Sequence, residues 1–168
     1  MFFDKTQQSW RFRVCSFMGV AAKNVSGSTL HSALNLNDRK GSKLSAKSRR
    51  DLIVKWDGVD FLFVDEKSVI GRKLLVSMHE ALCVAKGNDL PFGGMNVIFA
   101  GDFGQLPPVG QRSLYSCVRG HNMANTKVQA DVFGRLLWLC IDVVVKLVQV
   151  MRQFGEENEC FVDLLTRL

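Results

Sequence analysis

Two adjacent carboxylates at the end of an unbroken apolar run constrain this chain more than any other feature. Phe61, Leu62, Phe63 and Val64 lead straight into Asp65 and Glu66. An apolar run without polar alternation predicts a strand buried on both faces, the usual state in a parallel sheet. Such a strand delivers its last residues to the sheet's carboxyl edge, where open α/β sheets bind ligands. Two acids there are costly to bury unless something positive faces them. A hydrated Mg²⁺ carrying nucleotide phosphates meets that need. An acidic turn left in water avoids it, so the flanking sequence has to decide.

The flanks favour a sheet. Residues 72–86 repeat apolar positions at helical spacing (Leu74, Leu75, Met78, Leu82, Ala85), and Gly87-Asn88 stops them. Residues 96–100 form a second apolar run, which also ends in an acid, at Gly101-Asp102. Strand, helix and strand in that order predict a βαβ unit with a right-handed crossover. Upstream, residues 11–17 read as a strand and 19–24 as a helical turn. Residues 29–36 read as a short helix capped by Ser28, and 49–56 as a helix with Leu52, Ile53 and Trp56 on one face. Downstream, residues 130–139 predict a helix with Val132, Phe133, Leu136 and Leu137 inward. Residues 143–145 predict a further strand, and 156–168 a last helix. The expected fold class is therefore α/β, a parallel sheet flanked by helices, in one domain over residues 1–168.

Composition narrows the function classes. A chain that is 47% hydrophobic and 23% charged is globular rather than disordered. No apolar run approaches the roughly 20 residues of a membrane helix. The first eight residues lack the long apolar core of a signal peptide. A soluble protein that binds no membrane, intracellular and nuclear if the source is eukaryotic, is expected. The five cysteines (Cys15, Cys83, Cys117, Cys140, Cys160) and three histidines (His31, His79, His121) are scattered, with no metal-ligand spacing. Reduced thiols are expected. Much of the +6 net charge gathers in Arg39, Lys40, Lys43, Lys47, Arg49 and Arg50. That cluster reads as a solvated face or as a surface attracted to nucleic-acid phosphate, and both readings stay open.

The most specific string is Gly101-Asp102-Phe103-Gly104-Gln105-Leu106-Pro107-Pro108-Val109-Gly110. It comes after the second strand, so in a parallel sheet it faces the same ligand as Asp65 and Glu66. A glutamine there can hydrogen-bond a terminal phosphate and a positioned water, and the two prolines fix the exit of the loop.

At these residues the chain resembles the Pif1-like group of superfamily 1B DNA helicases, including those carried by Helitron transposons. Residues 93–109 look like that family's motif III, and residues 61–71 like its motif II, the Walker B acidic pair followed by Ser68 and Gly71. Residues 19–32 are similar to motifs Ia and Ic, and residues 147–153 to motif IV. The resemblance implies an incomplete RecA-like (P-loop NTPase) parallel sheet, the first helicase domain only. It implies ATP and Mg²⁺ as cofactors, and single-stranded DNA or a DNA fork as partner, with a monomer expected. It implies 5′-to-3′ unwinding in DNA repair, recombination, telomere maintenance or transposon function. By the same resemblance Asp65 holds Mg²⁺, Glu66 polarises the attacking water, and Gln105 senses the γ-phosphate. Arg152 stabilises charge on the transferring phosphoryl group. Gly19, Ala21, Lys23, Asn24, Thr29 and His31 line the single-strand path.

Departures from the family pattern qualify this. Met18 stands where a threonine is usual, and Lys67 where an apolar residue is more common. No Gly-rich string ending in Gly-Lys-Ser/Thr occurs, and Lys5-Thr6 has no glycine before it. A phosphate cradle needs glycines so that backbone N–H groups can converge on the anion. The expectation is a domain lacking the P-loop segment and the second RecA-like domain, inactive in isolation. Its P-loop strand would normally lie beside the strand ending in Asp65, so open strand edges are expected. The alternative is a non-catalytic remnant that binds single-stranded nucleic acid or a partner protein.

Overall fold

The structure is a computed structural model that describes residues 8–36, 39–40, 43–117 and 125–148. Its centre is a four-stranded parallel sheet of β1 (Phe12–Ser16), β2 (Ser28–Thr29), β5 (Phe61–Asp65) and β6 (Asn96–Phe99). The strand order is β2-β1-β5-β6. Around it lie α1 (Gly19–Asn24), α2 (Leu30–Ala33), α3 (Ala46–Trp56), α4 (Arg72–Lys86) and α5 (Thr126–Leu139). A separate antiparallel hairpin pairs β3 (Arg39–Lys40) with β4 (Lys43–Leu44). The α/β class stands as expected. No helix among the described residues is long and apolar enough to cross a membrane.

Sequence dictates much of this directly. Helix α4 runs between the bounds that its apolar spacing predicts, and Gly87 ends it in the left-handed conformation with its N–H on the Cys83 carbonyl. Its inner face buries Leu74, Leu75, Met78, Leu82 and Ala85 against the sheet. β5 alternates more than its composition suggests. Leu62 and Val64 are fully buried, whereas Phe61 and Phe63 are half-buried and meet Phe12 of β1 at 6.3 Å between ring centroids. The second face of the sheet therefore stays partly open, lined by these half-buried rings and by exposed Ile98.

Several expectations fail for physical reasons. Ser28 belongs to β2, opposite Cys15, and it is the Thr29 hydroxyl that caps α2 by accepting from the Ser32 N–H at 3.3 Å. Helix α5 is rotated from the predicted face: Leu137 is buried, but Phe133 and Leu136 are 40% and 55% exposed. The reason is Gly134, where a Cβ would stand 2.7 Å from the Arg72 carbonyl oxygen. Its absence lets α5 approach α4 closely and turns Asp131 inward onto Arg72. Among the described residues, 143–145 pair with no strand, and Val143, Val144 and Val145 are exposed. β5 is flanked on both sides, by β1 and β6, so no further strand can enter beside the one ending in Asp65. The helix expected at 156–168 falls outside the described residues.

One histidine is a structural group with a pH consequence. His79 on α4 accepts the Phe92 N–H at Nδ1 (3.0 Å) and meets the rings of Phe92 and Phe133 edge-on. Burial holds its pKa below the ordinary value, with Glu80 and Asp89 pulling more weakly the other way. A neutral imidazole is thus favoured in the fold, and the unfolded chain takes up the proton more readily. Stability should be full above a pH of about 6.5 and fall as the pH drops through the depressed folded value. Thermal melting between pH 5 and 8 checks this: His79→Gln should flatten the acid limb, and an unchanged slope would refute the assignment.

Candidate nucleotide site and nucleic-acid interface

The parallel strands bring their carboxyl ends to one edge. Ser16, the last residue of β1, lies in register with Asp65, the last of β5. The chain then turns sharply at Glu66, which adopts a left-handed conformation (φ 59°, ψ 50°) that non-glycine residues rarely take. Such strain costs about 1–3 kcal/mol and persists where surrounding contacts enforce it. The enforcing contacts come from β6. The Lys67 N–H donates to the Ala100 carbonyl at 2.9 Å, and the Ala100 N–H donates to the Val64 carbonyl at 2.8 Å. Gly101 adopts φ 126°, and a Cβ there would stand 2.9 Å from the Lys67 nitrogen. Only glycine allows this close approach, so the two acid-bearing turns are clasped together.

Lys67 completes the clasp. Its ammonium sits 4.8 Å from the centroid of the Phe103 ring, a cation–π contact that joins the acidic turn to the following loop. Phe103 in turn packs edge-on against Tyr115 and Trp138. Asp102 is turned inward on its own loop, accepting the Gly104 N–H at 2.9 Å. Gln105 projects into solvent beyond it, with Leu106 and Val109 also exposed and Pro108 buried. Asp65 and Glu66 are half-buried, and among the described residues neither carboxylate has a hydrogen bond or ion pair. The Ser16 and Ser68 hydroxyls are buried beside them without a protein partner. This all-oxygen donor set, with only two acids, fits a magnesium ion that keeps most of its water and phosphate ligands. No group of three or more metal-binding side chains occurs among the described residues.

Sequence reasoning missed the residue that anchors this loop. Arg72 opens α4 with no solvent exposure. Its Nε donates to the Ser113 carbonyl (3.1 Å), one terminal nitrogen to Asp131 (2.8 Å), and the other to the Ser116 carbonyl and hydroxyl. Nearby, Gln111 accepts the Leu74 N–H at 3.1 Å. The exit of the Gln105 loop is thus fastened to the helix that follows the acid pair. The signal was present: Arg72 stands three residues before Leu75, on the inward face of the helix and at the end where a cation opposes the helix dipole.

The residues expected along a single-strand path gather beyond β1. Lys23 and Asn24 are exposed on α1, Gly19 is exposed, and Ala21 is half-buried. Thr29 is engaged as the cap of α2, and half-buried His31 meets Phe17 edge-on at 5.6 Å. Lys47, Arg49 and Arg50 are exposed on the first turns of α3. Arg152 lies outside the described residues. A concavity of about 450 Å³ lies at the opposite edge of the sheet, lined by Arg11, Asp60, Lys86, Met95 and Asn96 among others. Its polar groups are already engaged: Arg11 pairs with Asp60, and the Lys86 ammonium binds the Trp56 and Val59 carbonyls. The acid-bearing edge is the better candidate.

Comparison with known proteins places the chain among DNA helicases by sequence and fold. The chain is 30% identical over 154 residues to the ATP-dependent DNA helicase RRM3 of Saccharomyces cerevisiae, covering 89% of this chain and 20% of that protein. It superimposes on the Pif1 helicase of Candida albicans with a TM-score of 0.68 at 26% identity, covering 99% of this chain and 35% of that one. A Bacteroides Pif1 helicase in complex with ADP-AlF3 and ssDNA matches with a TM-score of 0.64 at 26% identity, over 93% of this chain and 35% of that one. The chain therefore spans about a fifth of the curated relative's length. The PIF1-like helicase family model matches residues 5–166, and the chain belongs to that family.

Proposed function

We propose that this chain supplies the acid-bearing side of the nucleotide site, and part of the single-strand path, of an ATP-dependent 5′-to-3′ DNA helicase. The observation that carries the reading is the clasp between the Asp65-Glu66 turn and the Gln105 loop on neighbouring parallel strands. Asp65 would hold Mg²⁺ in the corner it shares with the Ser16 hydroxyl. The ion, when bound, neutralises and orients the nucleotide phosphates. Glu66 accepts the proton of the attacking water. Gln105, exposed on a loop fixed at both ends, hydrogen-bonds the terminal phosphate and passes its presence to the DNA path. The family resemblance assigns Arg152 to transferring-phosphoryl charge, and work in DNA repair, recombination, telomere maintenance or transposition to the complete motor. Gly19, Ala21, Lys23, Asn24, Thr29 and His31 hold the strand by its phosphates, and the His31-Phe17 pair offers a base an aromatic edge.

A second reading, a binder of single-stranded nucleic acid without turnover, is favoured by the exposed cations Lys47, Arg49 and Arg50 on the first turns of α3. The 168 residues contain no Gly-rich string ending in Gly-Lys-Ser/Thr, and loss of one preorganised donor at a developing charge costs ~10²–10³ in rate. The 168-residue chain should therefore bind single-stranded DNA with an affinity that falls as salt rises, while its DNA-stimulated ATPase stays near background. Turnover like that of a complete helicase would refute that expectation. The two readings separate on nucleotide dependence. A magnesium nucleotide that shifts the DNA affinity, with the shift lost in Gln105→Ala, supports the motor; an affinity indifferent to nucleotide supports the binder.

A further inference from the structure

We propose that Lys67 is a positioning residue for the Gln105 loop, seating that loop by its charge through the ring of Phe103. What Gln105 is positioned for rests on the nucleotide reading above; the contact itself does not. Of residues 101–107, Gly101, Asp102, Gly104, Gln105, Leu106 and Pro107 are exposed, and Phe103 alone is half-buried. The Gly104 N–H donates to the Asp102 carboxylate at 2.9 Å, and the Gln105 N–H to the Asp102 carbonyl at 3.3 Å. Those bonds shape the turn by joining it to itself. A loop with one seated side chain takes its place from that side chain, so the seat of Phe103 sets where Gln105 stands.

The seat is built from Tyr115, Trp138 and Lys67. Tyr115 and Trp138 meet the ring edge-on at centroid distances of 5.0 and 5.7 Å. Tyr115 lies on the exit of the same loop and is 52% exposed, so Trp138 of α5 and Lys67 join the ring to the rest of the domain. Of these two, only Lys67 belongs to the acid-bearing turn. Its ammonium, 4.8 Å from the centroid, is attracted by the negative face of the ring.

Lys67 is itself fixed at the backbone. Its N–H donates to the Ala100 carbonyl at 2.9 Å, and it opens the short turn Lys67–Val69 that follows left-handed Glu66. Among the described residues its ammonium pairs with no carboxylate, although Glu66 precedes it and Asp102 precedes Phe103. The charge is committed to the ring. An apolar side chain of similar length would cover the same area and supply no such attraction. A movement of the acidic turn is thereby passed through Lys67 and Phe103 to Gln105, two residues further on.

Hydrogen exchange of the Gly104 and Gln105 amides in the 168-residue chain tests this, since both are bonded within the loop. Lys67→Met keeps the aliphatic stem and removes the charge; Lys67→Arg keeps a cation that stacks on rings. Lys67→Met should speed exchange of both amides about two- to fivefold, the factor that a part-exposed cation–π contact supplies. Lys67→Arg should restore the original rates. In a Phe103→Leu chain, which has no ring to hold, Lys67→Met should change nothing further. A space-filling role gives the opposite pattern, with methionine tolerated and arginine disruptive. Unchanged exchange in Lys67→Met, an arginine variant as fast as the methionine one, or a full further effect in the Phe103→Leu chain overturns the proposal.

A second measurement follows single-stranded DNA affinity with and without magnesium and a non-hydrolysable ATP analogue. Lys67→Met should shrink the nucleotide-induced shift, and Lys67→Arg should restore it. A shift that Lys67→Met leaves intact overturns the positioning role even where exchange is faster. No shift in the unmodified chain would refute the motor reading of Gln105, and the exchange rates then decide whether Lys67 seats the loop.

Discussion

Replacing Arg72 with methionine should destabilise the fold by about 3–5 kcal/mol, the cost of breaking a buried ion pair by removing one partner. Methionine matches the volume of the aliphatic stem, so the loss is of charge and hydrogen bonding rather than of packing. Among the described residues Asp131, whose side chain is 16% exposed, would keep only Arg112 at 3.1 Å, a partner 44% exposed. The Ser116 carbonyl would lose its Arg72 donor, and the Ser113 carbonyl would keep the Ser116 hydroxyl alone of its two side-chain donors. For a chain of this size the expected drop in melting temperature is on the order of 10 °C. Arg72→Lys should recover only part of it, since one ammonium cannot reach acceptors spread over three sides. The Arg11–Asp60 pair serves as the control. Both side chains are more than a third exposed, at 38% and 36%, and Arg11→Gln should cost less than about 1 kcal/mol. Urea denaturation of the three variants decides the matter. A loss below about 1 kcal/mol for Arg72→Met would show that the loop is held by other contacts.

The consequence of Arg72 reaches the candidate site. The loop that carries Gln105 begins at the clasp with Lys67 and ends at Ser113 and Ser116, so one end is held by the acidic turn and the other by the helix that follows it. A local change at Arg72 should therefore loosen Gln105 without touching Asp65 or Glu66. Amide exchange along residues 103–117 would register this as faster opening in the variant.

What the sequence revealed and what it hid have the same origin. Periodicity reports a residue's relation to its own element. That is why α4, the α1 turn and the strand ending in Asp65 were legible: their apolar spacing and their glycine stop are local facts. The face of α5 was not legible, because it is set by a missing Cβ at Gly134 against the Arg72 backbone, a contact between residues far apart in sequence. Residues 143–145 have the composition of a strand, but a strand also needs a neighbour, and composition does not supply one. Glu66 gave no sign of its left-handed backbone, since that strain is imposed by β6 and Gly101. Lys67, which had no account from sequence, gains one from the Phe103 ring. The roles proposed for Asp65, Glu66 and Gln105 rest on chemistry at a strand end. Their clasping across β5 and β6 was readable only as topology.

Trp56→Ala should be comparably damaging, at about 3–5 kcal/mol, for a reason that lies in α3, the helix packed beside α4. Trp56 is fully buried at the end of α3, and its indole N–H donates to the Ala33 carbonyl of α2 at 3.0 Å. The guanidinium of Arg13 on β1 lies 5.3 Å from its ring centroid. One side chain thus ties α3 to both β1 and α2, the helix that carries His31 and is capped by Thr29. Two substitutions separate its contributions. Alanine removes the ring and leaves a cavity among Leu52, Leu34 and their neighbours. Phenylalanine keeps most of the apolar surface but orphans a buried carbonyl, which costs about 1–3 kcal/mol. Equilibrium denaturation should therefore rank wild type above Trp56→Phe, and Trp56→Phe above Trp56→Ala. The phenylalanine variant should remain folded, and it is the informative one for function. If Thr29 and His31 line the single-strand path, freeing α2 from the Trp56 hydrogen bond should weaken single-stranded DNA binding while leaving its salt dependence unchanged, because no phosphate contact is removed. Wild-type DNA affinity in a measurably destabilised Trp56→Phe chain would mean that the strand runs elsewhere, with the exposed cations of α3 the next surface to test.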